Sequence, residues 1–332
     1  MRTRLLTPTD EGLREAAAVL ARGGLVGMPT ETVYGLAARA FDPEAVLGVF
    51  RAKERPAFDP LIVHLAEADL DAAFDAGVID RGRLSRDAAA ALERLLPLWP
   101  GPLTLVLPRG ARVPELATSG LDTVAVRVPD HPVARALIRT LGEPVVAPSA
   151  NRFGRISPTE AAHVLEELDG RIDAVLDGGP CTLGVESTIV GLEDDGTPRL
   201  LRPGACPRET IEAALGRGLQ APRRAASPAA PGMLASHYAP RKRVVLADAV
   251  PLEGAPGFLL FTGDEALETR FGAPRVVELL GAEPGDAARR LFAALRRLDA
   301  SDADYLVAAS PPGDHGLFLA VADRLRRAAA ER

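Results

Sequence analysis

Pro56 and Pro60 punctuate the stretch that constrains this chain most, residues 28–65, MPTETVYGLAARAFDPEAVLGVFRAKERPAFDPLIVHL. Neither proline can continue a helix, and each biases the residue before it toward extended backbone. Upstream, Asp42 is a good N-cap, Pro43 suits the first helical position, and Val46, Val49 and Phe50 share one face. The helix must therefore end near Lys53. Lys53 and Arg55 leave it on a stiff turn before a strand expected over 61–65 that closes on His64. Ahead of the helix, a buried strand over 25–28 runs into the hydroxyls of Thr30 and Thr32. A stiff cationic turn beside hydroxyls can grip phosphates with little ordering cost. The alternative is that Lys53 and Arg55 are solvated charges favouring a helix C-terminus. Residue usage bears on the choice, because Lys53 and Lys242 are the only lysines and Asn151 is the only asparagine.

The remaining composition bounds the class. A chain of 332 residues can hold one large and one small domain, and 47% hydrophobic with 25% charged residues is ordinary for a soluble globular protein. No apolar run reaches the roughly 18 residues of a membrane span and the N-terminus has no signal-peptide plan, so a cytoplasmic protein with no membrane partner is expected. Cys181 and Cys206 lie far apart without CxxC spacing and read as buried small hydrophobes. A formal net charge of −6 argues against bulk electrostatic binding of nucleic acid, so any phosphate site must be a local pocket.

Along the chain, Thr7 and Pro8 read as cap and first turn of a helix with Leu13, Ala16, Ala17 and Leu20 inward, stopped at Gly23-Gly24. Helical patterns over 66–74 and 85–95 lead to Trp99, the single tryptophan, which reads as a core anchor beside a turn. Strands follow over 103–107 and 123–128. Arg127, in the apolar TVAVRVP, must meet a carboxylate from the protein or from a ligand, with the ligand preferred, since an unpaired buried guanidinium is costly. After a helix over 131–141, a strand over 144–148 runs into Ser149-Ala150-Asn151. A polar triplet at the C-terminal end of a buried strand is where open α/β sheets place ligands. Ser157-Pro158-Thr159-Glu160 reads as a capping box, although a helix N-terminus there would also suit an anion. Ser187 and Thr188 sit in a strand over 186–190, and a strand over 199–201 delivers Arg202 into Pro203-Gly204.

Three units are expected: a catalytic domain over 1–206, a linker over 207–240, and a second domain over 241–332. The linker is rich in Pro, Ala and Ser, yet it ends in Pro231-Gly232-Met233 and His237-Tyr238-Ala239-Pro240, turn and aromatic chemistry that a spacer does not need. It is expected to act as a lid that closes over the first domain. Beyond it, strands near 243–247, 257–261, 275–278 and 305–309 alternate with helices, the last over 317–330, which is the pattern of a small parallel α/β domain. Neither GxGxxG nor GxxxxGK[ST] occurs, so no dinucleotide fingerprint or P-loop accounts for the cations.

PTETVYGLAARAF, KERPAFDPLIVH, WPGPLT, TVAVRVP, PSANRFGRISPT, GVESTIV, LRPG and PGMLASHYAP, in this order, resemble the threonylcarbamoyl-adenylate synthases of the YrdC and Sua type, in their longer two-domain form. The resemblance implies an α/β fold: a YrdC-like twisted mixed β-sheet domain around a central positive cavity, then a smaller Rossmann-like parallel α/β domain. It implies that L-threonine, bicarbonate and ATP give threonylcarbamoyl-adenylate and pyrophosphate, and that downstream threonylcarbamoyl-transfer proteins use the product on tRNA. By similarity, Lys53, Arg55, Ser149, Asn151, Ser157, Arg202 and Tyr238 face ATP, with Thr123 and Asp59 beside them. Lys53 and Arg55 carry the catalytic charge. Thr32, His64, Arg127, Ala147 and Ser187 face threonine. Mg2+ would be held largely by the triphosphate. Asp59 departs from the family, which commonly has asparagine there; its carboxylate would repel a triphosphate unless magnesium or Arg55 intervenes. Two rivals are an RNA-binding or ribosome-assembly module of the same fold and the carbamoyl-transfer domain of hydrogenase maturation proteins. The second lacks its CxxC segments here.

Overall fold

The computed structural model describes residues 2–221, 236–263 and 265–331. The first domain runs β1 (Arg4–Leu6), α1 (Asp10–Ala21), β2 (Val26–Met28), β3 (Gly35–Arg39), α2 (Pro43–Lys53), β4 (Ile62–His64), α3 (Leu70–Asp75), α4 (Arg86–Leu95), β5 (Leu103–Pro108), β6 (Thr123–Arg127), α5 (Pro132–Leu141), β7 (Val145–Val146), α6 (Ala161–Leu168), β8 (Ala174–Leu176), β9 (Thr188–Leu192), β10 (Pro198–Arg202) and α7 (Arg208–Leu215). The second runs β11 (Val244–Leu246), β12 (Pro256–Leu260), α8 (Glu265–Phe271), β13 (Val276–Leu279), α9 (Pro284–Ala300), β14 (Tyr305–Ala308) and α10 (Phe318–Ala329).

The first domain's sheet is mixed, in the order β1-β8-β2-β3-β7-β4-β6-β5-β9-β10. The second domain's sheet, β11-β14-β12-β13, is parallel throughout, with helices connecting β12 to β13 and β13 to β14. Asp42 caps α2 through its side chain and Pro43 opens it, as the local chemistry dictates. Trp99 is buried and donates its indole N–H to Leu103 O. Cys181 and Cys206 are free and buried. None of the described helices is long and apolar enough to cross a membrane.

Several expectations are corrected. The cap of α1 is Thr9, not Thr7, because the Thr9 hydroxyl reaches Gly12 N. Residues 157–160 are no capping box. The Pro158 and Thr159 carbonyls accept from Tyr34 N and Cys181 N, and α6 starts only at Ala161. Strands β1, β3 and β8 escape a periodicity search because β1 and β8 have only three residues each and β3 is a Gly- and Ala-rich segment. The stretch read as linker opens with α7, whose Ile211 and Leu215, with Leu219, join the first domain's core. Residues 222–235, including Pro231-Gly232-Met233, lie outside the described residues. Ser236 to Pro240 pack on both domains: Ala239 N donates to Gly154 O and His237 N to Arg327 O. The second domain's apolar core also continues across the junction, taking in Val33, Ile156, Val185, Ala205 and Tyr238.

Candidate functional site

Strand ends position the site. β4 and β6 are parallel neighbours with His64 opposite Arg127, so both side chains leave the same end of the sheet together. The segment after β7 brings Ala147 and Ser149 against Gly35, where a bridge forms between Gly35 and Ser149. The register of β9 and β10 slips between Leu200 and Arg202, and such a bulge re-aims the side chain that follows it. Beyond it, a Cβ on Gly204 would lie 2.4 Å from backbone atoms of Glu186 and Ser187, so only glycine lets the chain pass this close. Together these elements enclose a cavity lined by Thr32, Arg55, His64, Arg127, Ala147, Ser149, Glu186, Ser187, Arg202 and Tyr238, among others.

Lys53 and Arg55 are 1% and 8% exposed, which excludes the solvated alternative. The Lys53 ammonium donates to the carbonyls of Ser149 and Asn151, both at 2.5 Å, and so ties α2 to the polar triplet. Burial, and then the neighbouring Arg55, hold its pKa well below the ordinary lysine range. Arg55 donates to the carbonyls of Asp59 and Pro60 and pairs with the Asp59 carboxylate at 2.9 Å. Arg55 is thus the counter-charge that Asp59 needed. Burial still pushes the Asp59 carboxyl up, against the pull of Arg55, Lys53 and Arg202.

Of the two kinds of partner expected for Arg127, the structure shows the protein carboxylate. Arg127 donates to Glu31 Oε1 at 2.5 Å, to Thr32 Oγ1 at 2.9 Å and to Gly101 O at 3.2 Å. The partner sits 96 residues away, on the threonine loop. Beside it, burial and then Arg127 depress His64 to about 3, so its imidazole is neutral. With Nδ1–H donated to Ile62 O, Nε2 is left as an acceptor. Arg202 donates to Ser187 O and to its hydroxyl, and Ser187 Oγ also bonds Thr104 at 2.7 Å.

Not every expected residue reaches the wall. Lys53, Asp59 and Asn151 lie one contact behind it, Lys53 through Ser149 and Asp59 through Arg55; Asn151 is held by its amide on Arg152 O and Arg155 O. Ser157 donates to Glu186 instead of capping a helix. Thr123 starts β6, about 13 Å along the strand from Arg127 by the usual rise per residue, and is absent from the lining. Sequence reasoning missed Glu31, Glu186 and Arg324. The first two stand inside quoted motifs, each the lone carboxylate of its motif, which was the signal available. Arg324 stands in a charged helix like any other and carried no signal.

Residues 18–204 match the family described as "Telomere recombination", and residues 206–330 match "Threonylcarbamoyl-AMP synthase, C-terminal domain". The chain is similar to the threonylcarbamoyl-AMP synthase of Bacillus subtilis (39% identity, 98% of this chain and 95% of the relative). It is equally similar to that of Pyrococcus abyssi (39% identity, 96% and 94%). Its fold superposes on the crystal structure of P. abyssi Sua5 complexed with L-threonine with a TM-score of 0.85, at 36% identity over 99% of this chain and 98% of that one.

Proposed function

Since the chain belongs to the threonylcarbamoyl-AMP synthase family over both of its domains, we propose that this cavity joins L-threonine, bicarbonate and ATP as a nucleotidyltransferase. The observation that carries this reading is the meeting of three buried guanidiniums, Arg55, Arg127 and Arg202, on one cavity whose wall holds Glu186 as its sole carboxylate among the described residues. That is a site for two anionic ligands and no protein nucleophile.

The neutral threonine amine would add to bicarbonate with loss of water, giving a carbamate. The carbamate oxygen would then attack the α-phosphorus of ATP as pyrophosphate leaves. Catalysis would come from orientation and from cations matched to developing phosphate charge. Arg127 and Thr32 would take the amino-acid carboxylate, displacing or sharing Glu31. Neutral His64 would accept from the amino acid, with Ser187 and the Ala147 backbone beside it. Arg55, Arg202 and Ser149 would take the triphosphate, with Lys53, Asn151 and Ser157 holding that wall, Tyr238 covering it, and Asp59 and Thr123 at its margin.

Magnesium would enter with the nucleotide. Among the described residues no group of three or more His, Cys, Asp or Glu side chains gathers, and Asp59 and Glu186 are already ion-paired. Phosphate oxygens and water therefore suit this ion better than a protein cage, and the ion would supply charge neutralisation at the departing pyrophosphate. The product is a reactive mixed anhydride, fit for handing to threonylcarbamoyl-transfer proteins acting on tRNA in the cytoplasm. Purified protein with ATP, threonine and labelled bicarbonate should release pyrophosphate only when all three are present. Release that ignores threonine would sink the reading.

A further inference from the structure

From the second domain a buried guanidinium reaches Glu186 in the cavity wall. Arg324, on α10, is 0% exposed, whereas its neighbour Arg326 faces solvent. A guanidinium so placed needs partners, and it has them on both domains. Nε donates to Glu186 Oε2 at 2.7 Å, 138 residues away, and NH1 donates to Asp323 at 2.6 Å. Its Cζ lies 4.8 Å from the Tyr238 ring centroid, and that ring stacks on Phe292 of α9. Close by, a Cβ on Gly184 would lie 2.4 Å from the backbone of Arg289, so α9 rests directly on the loop that carries Glu186.

Among the described residues Glu186 is the one carboxylate in the cavity wall, and Arg202 is the wall cation whose charge acts on it most. Without Arg324, Glu186 would have Arg202 as its remaining strong counter-charge and would draw it from Ser187. We propose that Arg324 is a positioning residue for the reaction: by neutralising Glu186 and backing Tyr238, it keeps Arg202 directed at the triphosphate, which makes the second domain part of the site. This rests on the cavity being the ATP site.

The charges facing Glu186 are Arg324 from α10 and Arg202 from β10, with Asp323 on the far side of Arg324; the Ser157 hydroxyl and Tyr238 complete its surroundings. Burial raises the Glu186 carboxyl, yet Arg324 and Arg202 bring it below its ordinary range. Removing Arg324 therefore lets its pKa climb, and protonation at acid pH would release Arg202 again.

The test uses the full chain. Arg324→Met, Arg324→Lys, Glu186→Gln with Arg324→Met, and Arg326→Gln as control are compared with wild type for pyrophosphate release and for ATP binding by calorimetry, from pH 6 to 9. Arg324→Met should lower kcat/KM for ATP at least tenfold near pH 8, with KM for threonine moving less. The deficit should narrow as pH falls, and Glu186→Gln should restore at least threefold. Arg324→Lys, which keeps charge without the fork, should fall between and is the variant read if Arg324→Met does not fold. A folded Arg324 variant within twofold of wild type at every pH overturns the proposal. So does equal loss toward both substrates with no rescue by Glu186→Gln, which would mark the pair as interface glue only. Wild type is the separate control on the activity: if its pyrophosphate release ignores threonine, the functional reading fails, while calorimetry still tests the pair.

Discussion

Lys53→Met separates a functional from a structural lysine. The side chain is buried, and its ammonium makes two charge-assisted hydrogen bonds, to Ser149 O and Asn151 O. Such bonds contribute about 1.5–3 kcal/mol each, or about 3–6 kcal/mol for the pair. Against them stands the desolvation of a buried ammonium, an effective penalty of several kcal/mol. Its strongly lowered pKa, caused first by burial, has the same sign: the charged form costs folding stability near neutral pH. The terms nearly cancel, so methionine, of similar length, should leave the melting temperature within about 5 °C, given about 2–4 °C per kcal/mol in a domain of this size. Activity has no such cancellation. At an effective dielectric of about 20, a unit charge about 7 Å from a phosphate oxygen, one contact behind the wall, is worth about 2.4 kcal/mol, and somewhat over half of that is already about tenfold in rate. Calorimetric melting and threonine-dependent pyrophosphate release, measured on one preparation, should show an intact fold with turnover down at least about tenfold. Near-normal turnover would refute the reasoning. So would a melting temperature lower by more than about 10 °C, which would make Lys53 a strut for the 149–151 turn.

Arg127→Lys keeps the charge but loses the fork that spans Glu31 and Thr32, so threonine affinity should fall more than ATP affinity in calorimetric titration; the reverse order would move Arg127 to phosphate. Asp59→Asn removes a buried anion 2.9 Å from Arg55 and should lower KM for ATP several-fold, since a charge about 8 Å from the phosphates at a dielectric of about 40 is worth about 1 kcal/mol; a higher KM would show that Asp59 holds Arg55 in place. His64, depressed to about 3 by burial and Arg127, binds its proton in the unfolded chain but not in the folded one between roughly pH 6.5 and 3, so stability falls with pH there. The loss is about 2 kcal/mol at pH 5, and His64→Gln should remove that share of the change in urea midpoint between pH 7.5 and 5. An unchanged pH slope in the variant would contradict a buried neutral His64.

Local chemistry in the sequence was enough to place α2 with its cap at Asp42, the turn bearing Lys53 and Arg55, the parallel second domain, and the ordered motifs of the family. All of these depend on neighbours within a few residues, where backbone sterics and periodicity decide. Tertiary structure alone decided the partners of the buried charges. Arg127 meets Glu31, Ser157 serves Glu186 rather than a helix, and Arg324 crosses from the second domain to the same carboxylate. It also decided that α7 joins the first core and that the second core runs across the junction. The physical reason is one of range. A cap or a turn is stabilised by atoms of its own segment, whereas a desolvated charge takes whichever counter-charge the convergence of distant strand ends brings within about 3 Å, and no local pattern encodes that convergence.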